Sequence, residues 1–207
     1  MKDNTFVINI GRQLGSGGRI IGKRIAEDLG IRFYDKELIY LAAKESGFSE
    51  ELFEQNDEQK SMLRSFFSNL IPFVGSGDIY DNQVSEESLF RILSDTIKTA
   101  AEQDNCVFIG RCSEYILREK KDCISLFISA NDEDRIKRIC EYNDVTREMA
   151  IKLIHASDKR RAAFHDFYSS GAWGAATTYD CCINSSMLGL DDTTELVKDV
   201  IKKRFHL

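Results

Sequence analysis

Apolar residues along this chain follow two periods in alternation. Short β-rich runs at "TFVINI" (Thr5–Ile10), "IRFYD", "NCVFIG", "CISLFISA" and "YDCCINSS" read as strands. Between them the period lengthens to that of a helix. Ile21, Ile25 and Leu29 recur four apart, and Gly30 stops the run. The same spacing returns in Leu89, Ile92, Leu93, Thr96, Ile97 and Ala100, and again in Leu196, Val197, Val200 and Ile201. "KELIYLAAKES" starts a further helix, while "NDEDRIKRICEY" and "TREMAIKLIHASDKRRAAFHDFY" predict two charged ones. Five short strands separated by amphipathic helices predict an α/β domain with a mostly parallel sheet covered on both faces.

One stretch breaks the alternation. From about 48 to 85 the chain carries its one proline, Pro72, acidic patches and the apolar run "MLRSFFSNLIPFVGSG". It reads as a helical insertion within a single domain spanning 1–207, a length that suits one domain with a sizeable core. A formal charge of −6 argues against non-specific nucleic-acid binding, which needs a broad basic surface. No apolar run approaches the length that spans a bilayer, so no membrane partner is expected. The six cysteines are scattered through apolar segments without a C-x-x-C pair. They read as buried thiols in a reducing, cytoplasmic setting.

Ligands of parallel α/β sheets bind at the carboxyl ends of the strands. That rule selects the Gly11–Arg19 loop, Asp35 and the "GRC" of Gly110–Cys112. In the loop, Gly15, Gly17 and Gly18 sit between a strand and a helix. Gly15, Ser16, Gly17, Gly18 and Arg19 can therefore turn several backbone N–H groups toward an anion, helped by the positive end of the helix dipole. A dinucleotide site is one rival, since "GRQLGSG" fits G-x-x-x-G-x-G and "YLAAK" fits Y-x-x-x-K. That second pair falls too early in the chain for a dehydrogenase, and the third glycine of G-x-G-x-x-G is absent.

The stretch "VINIGRQLGSGGRIIGKRIAEDLGIRFYDKELI" resembles the start of the cytidylate kinase-like proteins, a branch of the nucleoside monophosphate kinases. Against the usual G-x-x-x-x-G-K-[ST] loop, Arg12 replaces the first glycine, Gly18 the lysine and Ile20 the metal-binding hydroxyl. Arg12 or Arg19 is expected to supply the missing positive charge, as a fork where lysine is a point charge. Isoleucine cannot ligate Mg2+, which leaves Asp35 as the candidate metal or substrate ligand, or else a helix cap.

The resemblance implies a P-loop NTPase-type fold of three layers, with the insertion in the place of an acceptor-binding lid. It implies that Arg111 holds an acceptor phosphate, that Asp158 and Arg161 form a D-x-x-R element on the acceptor side, and that Arg135 or Arg138 lies over the donor phosphates. Cys112 stands where ordinary cytidylate kinases have aspartate, which questions the pyrimidine contact. Trp173 is expected to pack, His155 and His165 to be ordinary helix residues, and the apolar 62–75 segment to serve as lid or subunit contact. The activity implied is phosphoryl transfer from ATP with Mg2+ to a nucleoside monophosphate, CMP or dCMP first. A non-catalytic sensor of nucleotide or phosphate is the alternative, and an NAD(P)-dependent oxidoreductase a distant third.

Overall fold

The computed structural model describes residues 5–35 and 86–207. The expected insertion at about 48–85 and the 62–75 segment lie outside the described residues. The chain forms two compact units, one of Met1–Asp35 with Ala100–Leu207 and one of Lys36–Thr99. In chain order the described elements are β1 (Val7–Arg12), α1 (Gly18–Leu29), β2 (Arg32–Tyr34), α2 (Glu86–Gln103), β3 (Cys106–Ile109) and α3 (Ser113–Ile116). They continue with β4 (Cys123–Ser129), α4 (Asp132–Asn143), α5 (Arg147–Tyr168), β5 (Cys181–Asn184) and α6 (Gly189–Phe205).

The five strands form one sheet in the order β2-β3-β1-β4-β5, with every pairing parallel. β1 is central: Val7 aligns with Cys106 on one side and Cys123 on the other. Its residues Val7–Gly11 are buried, as expected of a strand covered on both faces. Ile8, Ile10, Val107, Ile109, Ile124, Leu126, Ile128 and Ile183 face α1 and α6, which contribute Ile21, Ile25, Ala26, Val197 and Ile201. On the other face Phe127 meets the edge of Trp173 at 5.2 Å and the ring of Tyr179 at 5.0 Å. Trp173 thus packs, as its setting suggested.

Local signals set the helix ends. Gly30 closes α1 at φ 63°, its N–H reaching the carbonyls of Ala26 and Glu27. Thr146 caps α5 by accepting from Met149 N, and three acidic residues in the first turn of α4 complement its dipole. Two elements depart from the sequence reading. β1 does not end before Gly11 but continues to Arg12, because Gly11 and Arg12 stay in register with Phe127 and Ile128. The short α3 had no periodic signal, being four residues long. Among the described residues no helix is long and apolar enough to cross a membrane.

Leu126 lies at the centre of this core and is fully buried. Truncation in Leu126→Ala is expected to lower stability by about 2–5 kcal/mol. Urea unfolding checks this, as a fall in the midpoint with little change in the slope.

Candidate active site

The loop between β1 and α1 is held by the protein from beneath. Gln13 N donates to Ile128 O at 3.1 Å, and Gln13 Oε1 accepts from Ala130 N at 3.2 Å. Leu14 N donates to Asp158 Oδ1 at 2.8 Å. Ser16 is fully buried: its hydroxyl donates to Gln13 O at 2.9 Å, and Ser185 Oγ donates to its carbonyl at 2.7 Å. Gly15 and Gly17 adopt φ of 78° and 81°, a region that favours glycine. A Cβ on Gly15 would also stand 2.8 Å from Arg135 O. Among the described residues the amides of Gly15, Gly17 and Ile20 have no hydrogen-bond partner, so the head of α1 presents them to a ligand.

Arg135 and Arg138 belong to this support. Arg135 is 4% exposed; its Nε donates to Leu14 O at 2.8 Å, Nη1 to Asp132 at 3.2 Å and Nη2 to Asp158 Oδ2. Arg138 Nη1 donates to Gly15 O at 3.0 Å and lies 3.4 Å from Ser185 Oγ. The spacing of three that put them on one helix face therefore aims both at loop carbonyls. Asp158 receives Leu14 N and Arg135 together, so it fixes the loop as well as standing 3.9 Å from Arg161.

The two candidate replacements for the missing lysine sit in different surroundings. Arg19 is more than half exposed, donates through Nε to Asp35 Oδ2 at 2.6 Å and lies 6.0 Å from the Phe33 ring. Arg12 runs against two glycines. A Cβ on Gly18 would lie 2.7 Å from Arg12 Cβ and 3.1 Å from Ile128 Cβ, and one on Gly110 would collide with Arg12 Nη1. The guanidinium of Arg12 therefore lies over the turn that follows β3.

That turn is unusual. Gly110, Arg111 and Cys112 all have positive φ, at 69°, 66° and 55°. For the two that carry a Cβ this costs about 1 kcal/mol each, and such strain gathers where a side chain must be aimed. Arg111 is 8% exposed and Cys112 3%. Burial raises the Cys112 thiol, with Glu114 adding to it, so the group remains a neutral, inert thiol packed inside.

Arg12, Arg111 and Arg161 converge. Arg161 Nη1 donates to Arg12 O at 3.1 Å. Burial lowers the Arg111 guanidinium to about 10, with Arg12 as the next cause. Arg161 is pushed down to about 9 by burial, then by Arg12, with Arg111 adding to it. Arg12 is lowered by burial, against the pull of Asp35 and Asp158. Both of those carboxylates also bind another arginine, Asp35 taking Arg19 and Asp158 taking Arg135. Three crowded guanidiniums, together with amides left without a partner at the head of α1, are the kinds of donor that a multiply charged oxyanion would require.

The described residues do not offer a ligand set for Mg2+. Ile20 has no ligating atom, the Ser16 hydroxyl is committed to Gln13, Asp35 is committed to Arg19, and among the described residues no three acidic, histidine or cysteine side chains cluster. His165, expected as an ordinary helix residue, is 3% exposed and lies 2.9 Å from Glu114. Its spacing on a charged helix gave no sign of that burial.

The all-parallel sheet, its order and the glycine loop at the head of α1 define a P-loop kinase-type fold. Shikimate kinases share it: the enzyme of Bacteroides thetaiotaomicron superposes with a TM-score of 0.53 at 14% identity, covering 98% of this chain and 99% of its own. That of Acinetobacter baumannii, in complex with shikimate, gives 0.51 at 12% identity over 96% and 94%. The chain belongs to the cytidylate kinase-like family, whose model matches residues 7–187. An uncharacterized protein from Eubacterium ventriosum ATCC 27560 is more similar, with a TM-score of 0.72 and 26% identity over 96% of this chain and 99% of that one. No curated protein matches the sequence.

The contact between Arg12 and Gly18 generates a prediction about restoring the usual loop. Gly18→Lys alone is expected to cost about 1–3 kcal/mol, because its Cβ meets atoms close to two backbones. The double variant Arg12→Gly/Gly18→Lys should regain more than half of that loss. Thermal unfolding of both variants checks the coupling.

Proposed function

We propose that this protein is a phosphotransferase that moves the γ-phosphoryl group of ATP to a nucleoside monophosphate, CMP or dCMP first. The observation that carries the reading is the convergence of Arg12, Arg111 and Arg161 at the mouth of the loop. Membership of the family supports nucleotide binding at that mouth. In this reading the amides of Gly15 and Gly17 and the start of α1 receive donor phosphates, while Arg111 and Arg161 hold the acceptor phosphate. Arg12, whose guanidinium lies over the Gly110 turn and whose carbonyl takes Arg161, neutralises charge on the transferring phosphoryl, the task a lysine performs in the usual loop. Arg135, Arg138 and Asp158 keep the loop in shape.

An oxygen of the acceptor phosphate attacks the γ-phosphorus as the bond to the β–γ bridging oxygen breaks. ADP leaves with the electron pair, and a nucleoside diphosphate remains. The acceptor is already ionised at neutral pH, so no side-chain base is required. Because the residues described do not fit a protein-held metal, no step is assigned to one. The burial of Cys112 takes the side chain at that position away from a base, so recognition in this reading rests on the phosphate rather than on a contact from residue 112.

Coupled ATP consumption with CMP, dCMP, UMP and AMP tests the reading. Turnover is expected with at least one of them, and its loss in Arg111→Met and Arg161→Met. Removing one charge-assisted contact is worth about 1.5–3 kcal/mol, or about tenfold to a hundredfold. Arg12→Met should therefore weaken ATP binding by at least about tenfold, and Arg19→Met by much less, as Arg19 is engaged by Asp35. Tight ATP binding without turnover on any acceptor would replace the enzyme with a nucleotide sensor.

A further inference from the structure

Arg111 and Arg161 reach the anion site on two elements that their own charges push apart. Arg111 rides on the left-handed turn before α3, and Arg161 on α5. One helical turn beyond Arg161, on the same face of α5, stands His165; three residues beyond Arg111 stands Glu114. Both are buried, at 3% and 8% exposure. His165 Nε2 lies 2.9 Å from Glu114 Oε1, and Nδ1 lies 3.0 Å from Asp166 Oδ1 and 3.1 Å from Ser169 Oγ. A solvent-open cavity of about 360 Å³ reaches this pair, so a proton can enter and leave.

We propose that the His165–Glu114 ion pair is a positioning device, which ties the turn carrying Arg111 to the helix carrying Arg161 and keeps both guanidiniums on one bound oxyanion. This rests on the reading of Arg12, Arg111 and Arg161 as an anion site. It requires neither ATP nor catalysis.

The groups around His165 make it the one that switches. Glu114 faces it from α3 and Asp166 from its own helix, while the Tyr179 ring stacks at 6.3 Å from the segment before β5. Burial raises both Tyr179 and the nearby Cys112, which stay neutral. Arg118 lines the same cavity, its guanidinium 4.3 Å over the Tyr115 ring. Burial lowers His165, but Glu114 and Asp166 outweigh it, and the net direction is above the ordinary value. With a raised folded value, the charged link is complete below the ordinary histidine range of about 6.5 and is lost as pH rises through the folded value. Anion affinity should fall over the same interval.

Sulfate is the suitable probe, because it stays a dianion throughout. Calorimetric titration at constant ionic strength, from about pH 6 to about pH 8, avoids the range near 9 and 10 assigned to Arg161 and Arg111. Affinity is expected to fall about fivefold across that range, a typical coupling between sites. His165→Gln and Glu114→Gln should both give a flat profile at the weaker limit. His165→Lys, a cation at either pH, should hold tight binding at the upper end, which lost packing alone would not produce. Circular dichroism confirms that each variant is folded. A flat wild-type profile, or an unchanged slope in both neutral variants, overturns the positioning role while leaving the anion site standing if Arg161→Met still abolishes sulfate binding. Sulfate affinity indifferent to Arg12→Met and Arg161→Met overturns the site and the positioning role together.

Discussion

Arg12 lies in space that two glycines leave open, and the chemistry of the site depends on that fit. Gly18 starts the first helix without a Cβ, where one would press on Arg12 Cβ, and Gly110 leaves room for the guanidinium itself. The exchange of glycine for arginine at one loop position and of lysine for glycine at another is therefore a single steric event. A long cation approaches from the end of β1, and the position that usually supplies the cation must then be bare. Crowding follows, since Arg111 and Arg161 occupy the same neighbourhood, and like charges held together at low solvent exposure are tolerable when an anion answers them.

The loop is held stiff so that the crowding has a fixed geometry. Arg135 and Arg138 take the carbonyls of Leu14 and Gly15, Ser185 takes that of Ser16, and Asp158 takes the Leu14 amide. With those carbonyls taken up, the amides of Gly15 and Gly17 remain without a partner among the described residues. Groups that hold their orientation before a ligand arrives need no reorganisation on binding, which is why such preorganisation matters for charge stabilisation.

The fold was legible in the sequence because burial on both faces of a parallel sheet leaves short apolar runs that stand out from helical spacing. The loop was legible because glycines at a strand-to-helix junction have few other uses. Resemblance to a known family then put forward Arg111, Asp158 and Arg161, and the structure sets Arg161 on the Arg12 carbonyl and Asp158 on the Leu14 amide. Three things were not legible. The extension of β1 through Gly11 and Arg12 depends on partners more than a hundred residues away. Arg135 and Arg138 show the same three-residue spacing whether a helix face meets water or a loop. His165 is hidden by the charged composition of its helix, where neither burial nor the partner on α3 leaves a periodic trace.

The central place of β1 also bears on how the chain is made. Val7 pairs in register with Cys106 and with Cys123, so β1 has no neighbour beside it in the described sheet until β3 and β4 have followed. Such long-range pairing slows folding, because the loop must close before contacts reward it. A nascent chain halted before β4 would expose the "VINI" segment as an unpaired, sticky edge, the kind of surface that chaperones bind.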